Sequence, residues 1–160
     1  MIEKKVSTLK TEPVYKGKKL TLGSILVKDK VDKEFYLDMK DLEQWKYLKG
    51  SKKIERKDSK GFKYMYSEGA MTFPDNINKP SRTIITGEGG SGPSRFKHVI
   101  KTNNKYRRLT PIELERLNMF PDNHTKLEGV GNSKRAFLMG NALVVGVVEK
   151  IGESLYKKIK

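Results

Sequence analysis

Cysteine is absent from this sequence of 160 residues. Its absence excludes disulfides, cysteine-ligated zinc sites and a thiolate nucleophile supplied by this chain. The sequence has two histidines, His98 and His124, and no cluster of His, Asp and Glu shows the spacing of metal ligands. We therefore predict no metal site, and no set of nucleophile, base and orienting residue can be assembled.

Long apolar segments are also missing. A membrane-spanning helix needs about 20 mostly apolar residues, and the best candidate, Ala136 to Ile151, is broken by glycines, Asn141 and charged residues. Residues 1–20 contain no apolar run of the kind found in signal peptides. We therefore expect a cytoplasmic protein that has no membrane partner.

Positive charge is what the sequence has in excess. The 34 Lys and Arg residues outnumber the 19 Asp and Glu residues, which gives a formal net charge of +15. A chain this basic favours a polyanion, nucleic acid first and an anionic membrane surface second. Hydrophobic residues make up 36% of the chain, which is enough for one compact domain with a lean core.

Local patterns predict short helices and strands. Asp38 is a plausible N-cap for a helix that ends before Gly50, with apolar residues at helical spacing. Strands are predicted over 62–66 and 82–86, with a return strand at 99–100 and a polar turn over 101–106. Residues 20–27 are predicted to form a strand or a short helix. The basic stretch from Lys49 to Lys63 is interpreted either as a solvated loop or as a phosphate-contacting surface.

A glycine-rich loop runs from Gly87 to Ser94, with four glycines in eight residues. Such a backbone can approach another molecule closely, and its N–H groups can bind phosphate oxygens. Arginine can bind guanine with two hydrogen bonds in the major groove. The alternative is a plain hairpin connection. Our candidate DNA contacts are Arg82, Thr86, Gly87, Gly89, Gly90, Ser94, Arg95 and Lys97.

The clearest local signal is the segment Thr110-Pro111-Ile112-Glu113. Thr110 and Glu113 have the spacing of a capping box, and Pro111 occupies the first helical position. Leu109 and Leu114 have the spacing of a hydrophobic staple. We predict a helix from Pro111 to about Asn118.

The last segment predicts an amphipathic helix. Asn141 is a plausible N-cap for a helix from Ala142 to about Lys157. Its apolar residues fall on one continuous stripe, made of Val144, Val147, Val148, Ile151 and Leu155. We expect this stripe to need a partner surface.

Two of these segments resemble motifs of the DNA cytosine-5 methyltransferases. Arg107 to Asp122 (RRLTPIELERLNMFPD) resembles the ninth motif of that family, and Gly140 to Gly152 (GNALVVGVVEKIG) resembles the tenth. Thr83 to Thr86, followed by the glycines, is similar to the family's target-recognition region. The resemblance is good over 80–152 and loose over 20–79.

Other motifs of the family are missing from this sequence. Complete enzymes use a Pro-Cys nucleophile, a Glu in a Glu-Asn-Val motif and an Arg in a Gln-x-Arg-x-Arg motif, and none of these occurs here. The glycine-rich loop of the cofactor-binding half is absent as well. The resemblance therefore implies the C-terminal, DNA-recognising part of such an enzyme, inactive by itself.

The resemblance also implies a fold, roles and partners. The fold would be α+β: a small irregular β-containing DNA-recognition domain with short helices, and a C-terminal helix that packs on a separate Rossmann-like catalytic half. The Lys-rich composition of residues 1–19 predicts a basic, extended or partly disordered lead-in, and the resemblance implies a recognition domain over 20–132 and a C-terminal segment over 133–160. S-adenosylmethionine would be the methyl donor, bound mostly by the catalytic half, with Asn141 and Ala142 beside it. The ninth motif would be structural through Arg107, Thr110, Pro111, Glu113 and Arg116.

Several functions remain open from the sequence. The chain could be the second polypeptide of a split methyltransferase, acting on double-stranded DNA with an N-terminal catalytic chain, or a C-terminal fragment of such an enzyme. It could instead be a standalone DNA-binding module, an inactive remnant of a split gene, or a protein that binds another through the C-terminal stripe. Self-association through that helix is a further way to cover the stripe.

Overall fold

The computed structural model of the chain describes residues 4–10, 12 and 14–159. Within these residues, short helices alternate with two small antiparallel sheets, which confirms the predicted α+β class. The helices are α1 (Leu42–Lys49), α2 (Pro111–Leu117), α3 (Asn132–Asn141) and α4 (Val145–Ile159). The strands are β1 (Lys52–Lys57), β2 (Lys63–Glu68), β3 (Ile100–Thr102) and β4 (Lys105–Arg107). Three 3₁₀ turns precede α1, at Leu22–Ile25, Lys33–Phe35 and Met39–Asp41.

Each sheet is a two-stranded hairpin. In the first, β1 pairs with β2 from Lys52 opposite Glu68 to Lys57 opposite Lys63. The strand predicted over 62–66 is therefore confirmed as β2. Its partner β1 lies in the basic stretch, so the loop alternative for that stretch is wrong over Lys52–Lys57, and the phosphate-contacting alternative stays a prediction. The sequence gives little sign of this strand, because charged residues dominate it and Ile54 is its one apolar residue.

The second hairpin, β3–β4, lies where a polar turn was predicted. The turn itself is confined to Asn103 and Asn104, whose φ angles are 48° and 59°. Two consecutive residues of positive φ form the tight connection whose twist matches that of antiparallel strands, and asparagine tolerates this conformation. The predicted return strand at Val99 and Ile100 begins at Ile100, which is fully buried.

The strand predicted over Arg82 to Thr86 is wrong. This segment has no strand partner among the described residues, and its end lies against α3 instead. A Cβ added at Gly140 would lie 2.4 Å from both the N and the Cα atoms of Thr86. The β-branched residues favour an extended backbone, but a β-strand also needs a second strand to share hydrogen bonds with. The segment lies against helix α3 instead, which cannot provide them.

The two predicted helices around 38–48 and 111–118 are confirmed. Asp38 accepts a hydrogen bond from the Lys40 N–H at 3.2 Å, at the 3₁₀ turn that leads into α1. Thr110 caps α2 by accepting from the Glu113 N–H at 3.3 Å, and the Glu113 carboxylate accepts from the Thr110 N–H at 2.8 Å. Residues 20–27 contain the 3₁₀ turn at Leu22–Ile25, the short-helix alternative.

The C-terminal segment holds two helices where one was predicted. Asn141 is the last residue of α3 and not the N-cap of the following helix, so that expectation is wrong. Its amide donates to the Phe137 carbonyl at 3.0 Å, within its own helix. α3 was missed because Gly131 precedes it, Gly140 lies inside it, and its apolar face is short. α4 then starts at Val145, close to the predicted position.

The apolar core is small and lies between α2, α3 and the first 3₁₀ turn. Helices α2 and α3 pack against each other, and α2 also packs on the Leu22–Ile25 turn. The core residues are Leu22, Ile25, Ile100, Leu109, Leu114, Ala136 and Met139. The staple residues Leu109 and Leu114 both belong to this core. Such a limited apolar core leaves part of the stabilisation to buried polar groups.

Helix α4 stands apart from this core. None of its described residues is buried, and Ile151 on its apolar stripe is 63% exposed. No helix among the described residues is long and apolar enough to cross a membrane.

Candidate nucleic-acid interface

A buried ion pair adjoins Arg108, the residue that binds the glycine loop. Arg107, at the end of β4, donates two hydrogen bonds to the Glu113 carboxylate at 2.8 and 2.7 Å. Glu113 also accepts from the Val27 N–H at 3.0 Å, and the exposed fractions of Arg107 and Glu113 are 2% and 0%. Paired and fully hydrogen-bonded charges of this kind are costly to break. The pair therefore joins α2, β4 and the N-terminal 3₁₀ region.

Arg108 connects this framework to the loop. Its guanidinium donates to the carbonyls of Gly89 and Gly90 at 3.1 and 3.2 Å, and to the Glu34 carbonyl at 2.6 Å. Burial lowers the pKa of Arg108 from its ordinary value. The sequence carries no signal for this role, because the three acceptors are backbone carbonyls that any residue carries.

Two of the predicted DNA-binding cations face the protein. Lys97 donates from its Nζ to the carbonyls of Gly90 and Gly92 at 2.8 and 2.7 Å, so it closes the loop on itself. Arg82 donates to both carboxylate oxygens of Asp75 at 2.7 and 3.2 Å. Burial lowers the pKa of Lys97.

Arg95 faces the protein as well. It donates to the carbonyls of Leu48, at 3.0 Å, and Gly50, at 3.1 Å, and also to that of Gly69. It pairs with Glu68 at 3.2 Å. Arg95 thus binds the residues just before β1 and just after β2, at the base of the hairpin. Base contacts by Arg82, Arg95 and Lys97 stay predictions, and each would have to exchange these bonds for bonds to DNA.

The remaining predicted contacts lie on the loop surface. Thr86, Gly87 and Gly90 are exposed, and Gly89 and Ser94 are half-buried. Position 89 has room only for glycine, because an added Cβ would lie 2.6 Å from the Cα of Ser133 in α3. The loop backbone is therefore pressed onto α3 while its other side faces solvent.

A buried histidine and glutamate stabilise the loop from inside. Glu88 is bonded to the His98 ring Nδ1 at 2.8 Å and accepts from the His98 N–H at 2.9 Å. Ser81 Oγ lies 3.1 Å from the His98 Nε2 and donates its own proton to the Arg82 carbonyl at 2.8 Å. Because that hydroxyl proton is already bound, the trio holds the loop and is not arranged as a nucleophile with its base. Sequence analysis singled out neither residue for this role.

The basic stretch divides into inward and outward cations. Lys49 is buried, and its Nζ donates to the carbonyls of Lys97 and Arg95 at 2.6 and 3.1 Å. Burial lowers the pKa of Lys49 to about 8. Lys52 pairs with Glu68 at 3.2 Å. The other cations of the stretch are exposed on the hairpin: Lys53, Arg56, Lys57, Lys60 and Lys63.

Comparison with known proteins identifies the family. The family model for the C-5 cytosine-specific DNA methylases matches residues 2–157 of the chain. The chain belongs to this family. It is 43% identical over 152 residues to the type II methyltransferase M.Sau3AI of Staphylococcus aureus, a match that covers 95% of this chain and 35% of that protein. The chain thus spans about a third of the length of this relative.

A solved structure supports the fold. The methyltransferase EhMeth of Entamoeba histolytica is similar over 96% of this chain and 46% of its own, with a TM-score of 0.58 and 15% sequence identity. This similarity concerns the fold alone.

Membership of the C-5 DNA methylase family implies S-adenosylmethionine as the methyl donor. Gly140, Ala142 and Val144 line an open groove of about 500 Å³ beside Arg82. Arg82 is already bonded to Asp75, and Asn141 is exposed at the end of α3. This groove is open to solvent, so the described residues provide only part of the enclosure that S-adenosylmethionine would need.

Proposed function

We propose that this chain is the target-recognition and C-terminal part of a DNA cytosine-5 methyltransferase. The catalytic half would lie on a separate polypeptide or in another segment of a longer protein. The observation that carries the proposal is the glycine loop, which is held from behind by Arg108 and Lys97 on the buried Arg107–Glu113 framework. Its outer side stays open, next to a hairpin of exposed cations.

The loop and the hairpin would bind double-stranded DNA by different means. The proposed loop contacts lie in the major groove, where each base pair presents a distinct pattern of donors and acceptors. The exposed lysines of β1, β2 and their turn would bind phosphates, which positions the duplex and makes binding sensitive to salt. The proposed loop contacts are Arg82, Thr86, Gly87, Gly89, Gly90, Ser94, Arg95 and Lys97.

Helix α4 would dock on the catalytic half. Its stripe is exposed along its length, and the groove of about 650 Å³ beside Met119 and Tyr15 is lined largely by the same helix. Burial of apolar surface is the main favourable term in protein association, so this face is suited to a protein surface. Residues 133–160 then serve assembly, and Asn141 and Ala142 would lie at the edge of the cofactor. Residues 20–132 serve recognition, and 1–19 are a basic lead-in.

The cysteine nucleophile would come from the catalytic half, because this sequence contains none. The target base must leave the helical stack to be reached, which costs a few kcal/mol. This chain would hold the duplex in a fixed position on its target sequence while the target base leaves the stack. We therefore expect the chain alone to bind DNA without methylating it.

The test is reconstitution of the methyltransferase. The purified chain is mixed with a candidate catalytic half, radiolabelled S-adenosylmethionine and mixed-sequence duplex DNA. We expect methyl incorporation at cytosine C5 only when both proteins are present. Salt-sensitive binding of duplex DNA without any incorporation would instead support a standalone binding module or an inactive remnant. Incorporation by the catalytic half alone would contradict the proposal.

A further inference from the structure

Six of the seven arginines of the chain are bonded inside the protein. The guanidinium groups of Arg82, Arg95, Arg107, Arg108, Arg116 and Arg135 all donate hydrogen bonds to protein oxygens. Arg56 differs, because its guanidinium donates no hydrogen bond to any other described residue. Arg56 is exposed on β1.

Arg56 is nevertheless held in place. Its guanidinium carbon lies 3.6 Å from the centroid of the Tyr66 ring, a cation–π stack between neighbouring strands. In the strand register Arg56 lies opposite Tyr64, and Tyr66 lies opposite Ile54 on the same face. The guanidinium is planar and presents its N–H donors as a fork that fits two acceptors on one base edge, and stacking on Tyr66 restricts the orientation of that fork.

The support of Arg56 runs back into the domain. The Tyr66 hydroxyl donates to Glu68, Glu68 pairs with Lys52 and with Arg95, and Arg95 binds carbonyls on both sides of the hairpin. Arg95 itself lies directly after the glycine loop. The position of Arg56 is therefore linked to the proposed recognition loop through three consecutive side chains.

The charge of the hairpin suits duplex DNA. The exposed cations Lys53, Lys57 and Lys63 lie on the face opposite Arg56 and Lys60 lies in the turn, while the exposed acidic residues of the hairpin are Glu55 and Asp58. Glu55 is paired with Lys63 at 3.0 Å. A two-stranded ribbon fits the major groove of B-DNA, and arginine bonded to guanine O6 and N7 is the commonest specific contact there.

The geometry points to Arg56 as a specificity-determining residue that binds a base edge, preferably guanine, with the β1–β2 hairpin inserted in the major groove. This assignment rests on the proposed function and deepens it. The hairpin is then a second recognition element beside the glycine loop, and Tyr66 is a positioning residue that acts through Arg56.

The test separates the effect of the positive charge of Arg56 from that of its planar, two-donor guanidinium. The full chain selects duplexes from a randomised pool, and affinity is measured for the selected duplex and for versions with each base pair changed, over a series of salt concentrations. Arg56→Lys keeps the charge and loses the fork, whereas Lys60→Ala in the turn removes one exposed charge and serves as the matched control. Tyr66→Phe keeps the ring and removes its hydroxyl bond to Glu68.

We expect Arg56→Lys to lose discrimination at one base pair by between about 5- and 150-fold, with a salt dependence close to that of the wild type. Lys60→Ala should keep discrimination and lower the salt slope by about one unit. Tyr66→Phe should reduce discrimination at the same base pair as Arg56→Lys, by a smaller factor.

Two outcomes would overturn the assignment in distinguishable ways. If the wild-type chain selects a duplex and Arg56→Lys selects it equally well, the role of Arg56 is lost while the proposed function stands. If the wild-type chain binds no duplex at all, both fall together. If Arg56→Lys instead weakens binding to the selected duplex and to all of its altered versions by the same factor, Arg56 contacts a phosphate and not a base, which would also overturn the assignment.

Discussion

The framework behind the glycine loop and the β1–β2 hairpin are both rich in cations, but they use them in opposite ways. In the framework, Arg107, Arg108 and Lys97 are buried and bonded to protein oxygens. On the hairpin, the cations beyond Lys52 are exposed, and Arg56 donates to no other described residue. Net charge alone, which first suggested nucleic acid, does not distinguish the two uses.

The difference teaches which cations are available to a partner. A cation whose donors are bonded inside the protein must give up those bonds before it binds DNA, whereas an exposed one exchanges only water and salt ions. The framework cations join segments that are distant in the sequence. The hairpin cations add little stability, because exposed ion pairs contribute at most about 1 kcal/mol. We expect the framework to govern folding and the hairpin to govern binding.

The sharpest way to break the framework is to remove one side of its central ion pair. Glu113→Ala leaves Arg107 buried without its counter-ion, and loss of one partner of a buried pair costs about 3–5 kcal/mol. We expect the free energy of unfolding in urea to fall by this amount. Glu128→Ala, at an exposed position, should change it by less than about 0.5 kcal/mol. Equal midpoints for the two variants would contradict a structural role for the pair.

A second variant separates the loop from α3. Gly89→Ala places a Cβ 2.6 Å from the Ser133 Cα and 2.9 Å from the Ala136 Cβ, so loop and helix must move apart. Overpacking of this kind costs about 1–3 kcal/mol. Gly92→Ala is the matched control in the same loop, because none of the described atoms lies within 4 Å of its ideal Cβ position. Thermal unfolding of both variants measures the difference, and a Gly92→Ala as destabilised as Gly89→Ala would refute the contact.

The pH dependence of stability tests the burial of Lys49. Its pKa is lowered from 10.5 to about 8 by burial, so the folded state releases the proton before the unfolded state does. The free energy of unfolding should therefore rise as pH increases from about 8 to 10.5. On lowering the pH, this gain is lost over the same interval and is gone once the pH has fallen through 8. After allowance for solvent screening we expect at most about 2 kcal/mol.

The measurement for Lys49 is urea unfolding across this pH window. Lys49→Met should lack the rise, whereas Lys126→Met, at an exposed position, should keep it. A wild-type curve that is flat relative to that of Lys49→Met would show that Lys49 is not desolvated in the folded state.

The smallest effect on stability should come from α4. Ile151→Lys changes a residue that is 63% exposed, so the unfolding free energy of the chain should change by less than about 0.5 kcal/mol. The same variant should nevertheless abolish reconstitution with the catalytic half, because it places a charge in the proposed interface. Glu153→Lys, at an exposed position of the same helix, should leave reconstitution intact. Full methylation by the Ile151→Lys mixture would refute docking through the stripe.

Elements whose signals are local could be predicted from the sequence. The capping box at Thr110 and Glu113, the staple at Leu109 and Leu114, and the apolar stripe of α4 all depend on neighbours within a few residues. Each was predicted close to its observed bounds. Local hydrogen bonds and periodicity determine such elements, and both can be counted along the chain.

Features that depend on distant partners could not be predicted. Thr86 has β-branched neighbours but no strand to pair with, and instead lies against Gly140 of α3. Arg95 follows the glycine loop and looks available to DNA, yet its acceptors are the carbonyls of Leu48, Gly50 and Gly69. Backbone acceptors leave no trace in the sequence, so nothing in the residue pattern distinguishes Arg95 from Arg56.

Arg95 has a consequence for exchanging specificity between relatives. It binds the carbonyls of Leu48 and Gly50 on one side of the hairpin and that of Gly69 on the other, so it holds together the two chain segments from which the ribbon starts and returns. All three acceptors are main-chain atoms outside residues 51–68, so the recipient supplies them whatever ribbon is grafted, and only the Glu68 partner of Arg95 lies within the graft. Residues 51–68 of a homologue should therefore be transferable wherever the recipient keeps Arg95 and the graft keeps Glu68.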